Sequence, residues 1–383
     1  MTENAAPAPP LDAVLGDVVA LTAALVDIAS VSGDERMLAD AIERVLRIRA
    51  PHLDVLRDGD AIVARTHLGR PQRVIIAGHI DTVPVNDNLP SRLELDSGSG
   101  DSVTGTLHGR GTVDMKGGCA VMLALAVALT EPAYDVTWVW YDHEEVEAHL
   151  NGLGRLARTR PELLAADFAI LGEPSNAVIE GGCNGTLRVE LTATGRRAHS
   201  ARAWMGVNAI HGLAPVLDLL ARFEPLEIEV DGLRYREGLN AVGIRGGVAG
   251  NVIPDEAVLT VNYRFAPSRS VAEAEEELRE LFASVAPAVS MRVTDAAGGA
   301  RPGLDAELAQ HFATAVGGTP QPKFGWTDVA RFAELGIPAV NYGPGDPSLA
   351  HTDDERVPVE QLLACERGLR AWLTADAAGA QAG

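Results

Sequence analysis

At 383 residues the chain is longer than one compact core usually supports, so two or more domains are expected. An apolar fraction of 46% and a formal charge of −21 spread along the chain describe a folded protein whose surface suits neither nucleic acid nor an anionic membrane. Three scattered cysteines fit a reducing cytoplasm rather than a disulfide framework; the N-terminus lacks an export pattern, and the longest apolar run, Cys119 to Leu129, is short of the ~20 residues that span a bilayer.

In chain order, Leu11 to Arg49 carries helical periodicity interrupted at I-A-S-V-S-G-D-E, where Ser32 and Asp34 read as an N-cap start. Asp54 to Thr66 and Arg73 to Gly78 read as strands, Met115 to Leu129 as a helix, and Asp135 to Asp142 and Phe168 to Leu171 as strands again. This alternation is that of an α/β sheet domain. From about Asn184 the pattern changes. L-R-V-E-L-T-A-T-G and V-L-T-V-N-Y-R-F alternate with period two, and helical stretches lie at Asn208 to Phe223 and Val271 to Ala286, as in a half-exposed antiparallel sheet with helices. After the glycine-rich D-A-A-G-G-A-R-P-G, helix and strand alternate once more. The expected organisation is a larger α/β domain made of 1–183 and 295–383, with a smaller α+β domain, 184–294, inserted into it.

The stretch V-I-I-A-G-H-I-D-T-V-P-V runs a buried strand into His79 and Asp81. Taken alone, this pair is as well explained by a strand-end turn as by chemistry. Four further junctions repeat the pattern. Asp114 sits in the glycine-rich G-R-G-T-V-D-M-K-G-G, Glu144 and Glu145 follow D-V-T-W-V-W-Y-D-H, Glu173 follows A-I-L-G, and His351 lies in L-A-H-T-D-D-E. In open α/β sheets the ligand crevice lies at the carboxyl ends of the strands. Two imidazoles and three carboxylates with a spare Glu suit a pair of first-row metals, and such a pair lowers the pKa of a shared water toward ~7. Asp81, two residues beyond His79, is placed to orient its imidazole.

Other chemistries lack their local devices. The sequence has no G-x-S-x-G elbow, no phosphate-binding G-x-x-x-x-G-K-[ST] and no G-x-G-x-x-G. H-E-E-V-E-A-H fails as a zincin helix because His149 stands six residues after His143 rather than four, which leaves both histidines as polar loop residues.

Taken together, G-H-I-D-T-V-P, G-R-G-T-V-D-M-K-G-G, H-E-E-V, L-G-E-P-S, G-R-R-A-H-S-A-R and A-H-T-D-D-E resemble the aminoacylase-type di-zinc metallopeptidase family, in order and over nearly the whole chain. The resemblance implies a zinc-exopeptidase-like catalytic domain with a mixed, mostly parallel sheet, plus an inserted ferredoxin-like dimerisation domain. It implies two Zn²⁺, with Co²⁺ able to substitute. His79 and Glu173 would hold one ion and Glu145 and His351 the other, with Asp114 bridging and a cis peptide after it. Glu144 would be the general base and then acid. His199 would stabilise the oxyanion in the other subunit of a homodimer, and Asn240 and Arg264 would help bind a small N-acyl amino acid.

Within the family, K-F-G-W-T-D-V-A-R-F and E-G-G-C-N-G-T-L-R look most like the actinobacterial desuccinylase branch. A succinylated diamino diacid needs positive partners, of which Arg264 is the first candidate and Arg202 and Arg331 are weaker ones. Two positions depart from the better-known pattern of that branch. Asn184 is neutral where a basic residue is usual, and Trp326 stands where a small residue is usual. Acetylornithine and dipeptide hydrolysis therefore stay open, as does a catalytically silent, metal-binding member. The presence of Glu144 beside Glu145 favours the enzyme.

Overall fold

Four apolar segments rich in β-branched and aromatic residues form the centre of an eight-stranded sheet in the computed structural model, which describes residues 10–96, 104–285 and 288–375. The central strands are Asp135–Tyr141, Arg73–His79, Phe168–Leu171 and Ala339–Asn341, side by side and parallel. They are buried almost throughout, as strands covered on both faces must be. The hairpin Asp54–Asp58 with Ala61–Arg65 adds antiparallel strands at one side, and Glu180–Gly181 pairs antiparallel with Ala339–Asn341 at the other. The sheet is thus mixed with a parallel centre.

Helices Val18–Val26, Lys116–Ala128 and Val359–Thr374 pack on one another beside this sheet. The middle helix is buried almost all round, which explains its uninterrupted apolar sequence. Two glycines let it lie close to the strands. A Cβ on Gly118 would stand 2.1 Å from the Gly172 carbonyl oxygen, and one on Gly78 would stand 2.4 Å from Met115 Cε. Among the described residues, no helix is long and apolar enough to cross a membrane.

The chain divides into two units. The first holds the described residues up to Gly181 together with Gly303–Gln321 and those from Arg331 onward; the second holds Gly182–Pro302 and Pro322–Ala330. Pro322–Ala330 thus joins the second unit although the expected boundaries left it in the first. The reason is a set of long-range bonds: the Asn184 amide donates to the Lys323 carbonyl, and Trp326 Nε1 donates to the Gly298 carbonyl. The second unit is a four-stranded antiparallel sheet in the order Gly238–Gly246, Glu256–Phe265, Gly185–Thr194, Val289–Ala297. With helices after the first and third strands in chain order, its connectivity is ferredoxin-like. Leu187, Val189, Leu191, Leu259, Val261 and Tyr263 face its core.

Two local readings are corrected. The second helix begins at Arg36 after Glu35, with no side-chain cap bond, so Ser32 and Asp34 are not its N-cap. Ser32 instead donates to Asp81, a contact 49 residues away in sequence. The stretch Asn208 to Phe223 is two short helices, Ala209–Gly212 and Ala214–Ala221, with Pro215 in the first turn of the second.

Candidate metal centre

The parallel strands end together, and their carboxyl ends carry the chemistry. His79 is the last residue of its strand, Glu144 and Glu145 follow Asp135–Tyr141, Glu173 follows Phe168–Leu171, and His351 lies in the loop after Ala339–Asn341. Asp114 precedes helix Lys116–Ala128, and its peptide bond to Met115 is cis. His351 has φ +65°, a left-handed conformation uncommon outside glycine and often found at functional sites.

Asp114 presents one carboxylate oxygen to each imidazole. Its Oδ1 is 2.9 Å from His79 Nε2 and its Oδ2 is 3.3 Å from His351 Nε2. Glu145 Oε1 stands 2.9 Å from His351 Nε2, and Glu173 Oε1 stands 4.0 Å from His79 Nε2. Ligand atoms of His79, Asp114 and Glu145 lie within 4.8 Å of one another, compatible with a shared cation. Behind them Asp81, fully buried, accepts from the amides of Glu144 and Glu145 at 3.0 Å each, while its Oδ1 lies 3.4 Å from His79 Nδ1. The far nitrogen of His79, Nδ1, hydrogen-bonds the Asp81 carbonyl oxygen at 3.1 Å, so Nε2 is turned to the site.

Charge explains what this set wants. Burial disfavours a charged His79, but hydrogen bonds to Asp114 and Asp81 outweigh it and hold its pKa well above 6.5. Hydrogen bonds to Asp114 and Glu145 raise His351 to about 10. Burial would raise the Asp114 carboxyl, yet bonds with His351 and His79 keep it well below the usual carboxylate range. Asp81, Asp114, Glu145 and Glu173 bring four negative charges against at most two from protonated His79 and His351, so the group calls for cations. Nitrogen and oxygen donors of this kind fit first-row divalent metals.

Of the remaining candidates, His199, Arg202, Asn240 and Arg264 lie in the second unit. His199 is exposed, and its Nδ1 accepts the Ala201 amide, so a neutral ring carries its proton on Nε2. Asn240 pairs with Asn262 across neighbouring strands, and Asn262 Oδ1 accepts from Arg264 Nε at 3.1 Å. Asn240 and Arg264 therefore share the polar face of that sheet. Burial, with Arg188 nearby, lowers the Arg264 pKa. Arg202 is exposed, whereas Arg331 belongs to the first unit and its guanidinium lies beside Gly154 of the same unit. His149 is exposed. His143, at φ +58°, bonds Asp142 through Nδ1 and the buried Glu35 through its amide, a scaffold for the turn that carries Glu144. Ser32, read from sequence only as a helix cap, and Glu35 and Glu355, not singled out at all, support these residues from behind through Asp81, His143 and Asp114 respectively.

This fold and donor set are those of a metal-dependent hydrolase, and residues 75–375 match Peptidase family M20/M25/M40, to which the chain belongs. A Mycobacterium tuberculosis protein with the provisional name succinyl-diaminopimelate desuccinylase DapE is 54% identical over 358 residues, covering 94% of this chain and 98% of its own. The succinyl-diaminopimelate desuccinylase of Corynebacterium glutamicum is 48% identical over 372 residues, covering 96% and 98%. Among solved structures, a Staphylococcus aureus tripeptidase shares the fold with a TM-score of 0.73 at 21% identity, over 94% of this chain and 97% of its own.

Proposed function

We propose that this chain removes the succinyl group from N-succinyl-L,L-2,6-diaminopimelate, giving succinate and L,L-diaminopimelate, a step toward lysine and cell-wall precursors in the cytoplasm. The observation that carries this reading is the 48% identity to the Corynebacterium glutamicum desuccinylase across 96% of the chain. In this reading His79 and Glu173 would hold one ion and Glu145 and His351 a second, with Asp114 a ligand shared between them. Two Zn²⁺ there, or Co²⁺ in their place, would polarise the scissile carbonyl and acidify the attacking water.

Glu144 takes the proton of that water and returns it to the leaving amine. The bond from its amide to Asp81 fixes where this side chain starts. His199 Nε2–H stabilises the charge that develops on the carbonyl oxygen. Arg264 pairs with a substrate carboxylate, and Asn240 adds a hydrogen bond.

The reading includes a homodimer. Gly238–Gly246 is an edge strand whose Val242 and Ile244 are 59% and 58% exposed, an apolar edge that a second copy would cover. The test is amine release from N-succinyl-diaminopimelate by metal-loaded protein. Two bound ions without turnover on any N-acyl amino acid would identify a silent member instead.

A further inference from the structure

Glu355 stands four residues beyond His351 and is 1% exposed, a depth at which a carboxylate needs partners. It has them in one place. Its Oε1 accepts the amides of Gly111, Val113 and Asp114 at 2.9, 3.0 and 3.1 Å, and its Oε2 accepts Arg110 Nη1 at 2.8 Å. The Glu355 carbonyl accepts the Gly109 amide, and Arg110 Nη1 also reaches the Thr352 carbonyl at 3.1 Å. All these donors lie in the glycine-rich loop that ends at Asp114. Immediately beyond, Arg356–Pro358 pairs with Gly105–His108, so the two segments are also joined as strands.

We infer that Glu355 is a positioning residue that latches the Asp114 loop to the His351 loop, so that each Asp114 oxygen keeps its own imidazole. The inference rests on the metal-site reading above. Gly109 and Gly111 take positive φ, which keeps the loop out of helix or sheet, and beside its turn bonds a single acceptor for three of its amides ties its backbone to the segment that carries His351. Because Glu355 and His351 share one short loop, a shift of either segment moves Asp114 relative to His351. Gln at 355 retains an acceptor oxygen but turns an NH₂ toward Arg110, whereas Ala removes every bond.

Metal-stripped wild type, Glu355→Gln and Glu355→Ala are titrated with Zn²⁺ and with Co²⁺, reading dissociation constants and the Co²⁺ visible spectrum beside the circular dichroism of each folded protein. The expected result is metal affinity weakened about 10-fold or more in Glu355→Ala, less in Glu355→Gln, with an altered Co²⁺ spectrum. Unchanged affinity and spectrum in either folded variant would overturn the inference, whatever happens to thermal stability. Hydrogen exchange of the metal-free wild type provides a check that needs no variant. The amides of Gly111, Val113 and Asp114 should be protected, and exchange at the rate of an open loop would also overturn it. If wild type itself binds no metal, the metal-site reading fails; if wild type binds and the variants bind equally well, only the latch fails.

Discussion

With no exposed surface, the Asp81 carboxylate receives the Ser32 hydroxyl and the amides of Glu144 and Glu145 while it faces the His79 ring. One residue thus orients the imidazole of a proposed metal ligand and the turn that carries the proposed base. Glu144 and Glu145 are adjacent but point to different tasks, since Glu145 contacts His351. Glu144→Gln should keep both ions and lose activity by ~10²-fold or more, because it removes a proton carrier and no ligand. Metal analysis beside turnover checks this, and loss of an ion would make Glu144 a ligand. At this scale the sequence was legible where contacts are local or repeated. His79, Asp114, Glu145, Glu173 and His351 each announce themselves as a polar residue after a buried strand or in a glycine-rich loop. Glu355 does not, because its bond to Gly111 spans 244 residues, and nothing near it in sequence shows three amides waiting.

Elements meet the site through close backbone contact and through anchored loops. Gly118 brings helix Lys116–Ala128 against Gly172, the residue before Glu173. Gly118→Ala should cost about 1–3 kcal/mol of stability, read by urea unfolding, and lower bound zinc as Glu173 is displaced. Asp135, at the start of its strand, accepts the Thr66 hydroxyl and the amides of Leu68 and Arg70. Burial works against its charge, but these bonds and Arg73 hold its carboxyl below 3.8. A depressed carboxyl adds stability that is present above its unfolded pKa and lost as pH falls through the folded value. Asp135→Asn should therefore be less stable than wild type at pH 7, and the gap in urea midpoints should narrow below about pH 4. Strand positions were readable from apolar runs, whereas the break at Pro215 and the membership of Pro322–Ala330 depend on a helix turn and on long-range bonds that periodicity does not register.

At the scale of the whole molecule, the proposed reaction depends on assembly and on substrate. If His199 serves the partner's site, mixing Glu144→Gln with His199→Ala subunits should restore about a quarter of wild-type activity after exchange, because half the dimers are mixed and each has one intact site. No recovery after verified exchange would place His199 within its own subunit or outside the reaction. Arg264 and Asn240 share one polar sheet face, which suits a substrate with several carboxylates. The most direct test is kcat/KM of the metal-loaded protein for N-succinyl-L,L-diaminopimelate, N-acetylornithine and an unblocked dipeptide. The succinylated diacid should lead by about a hundredfold, since a buried charge left without its partner costs several kcal/mol. Equal or better hydrolysis of N-acetylornithine or the dipeptide would contradict the desuccinylase assignment.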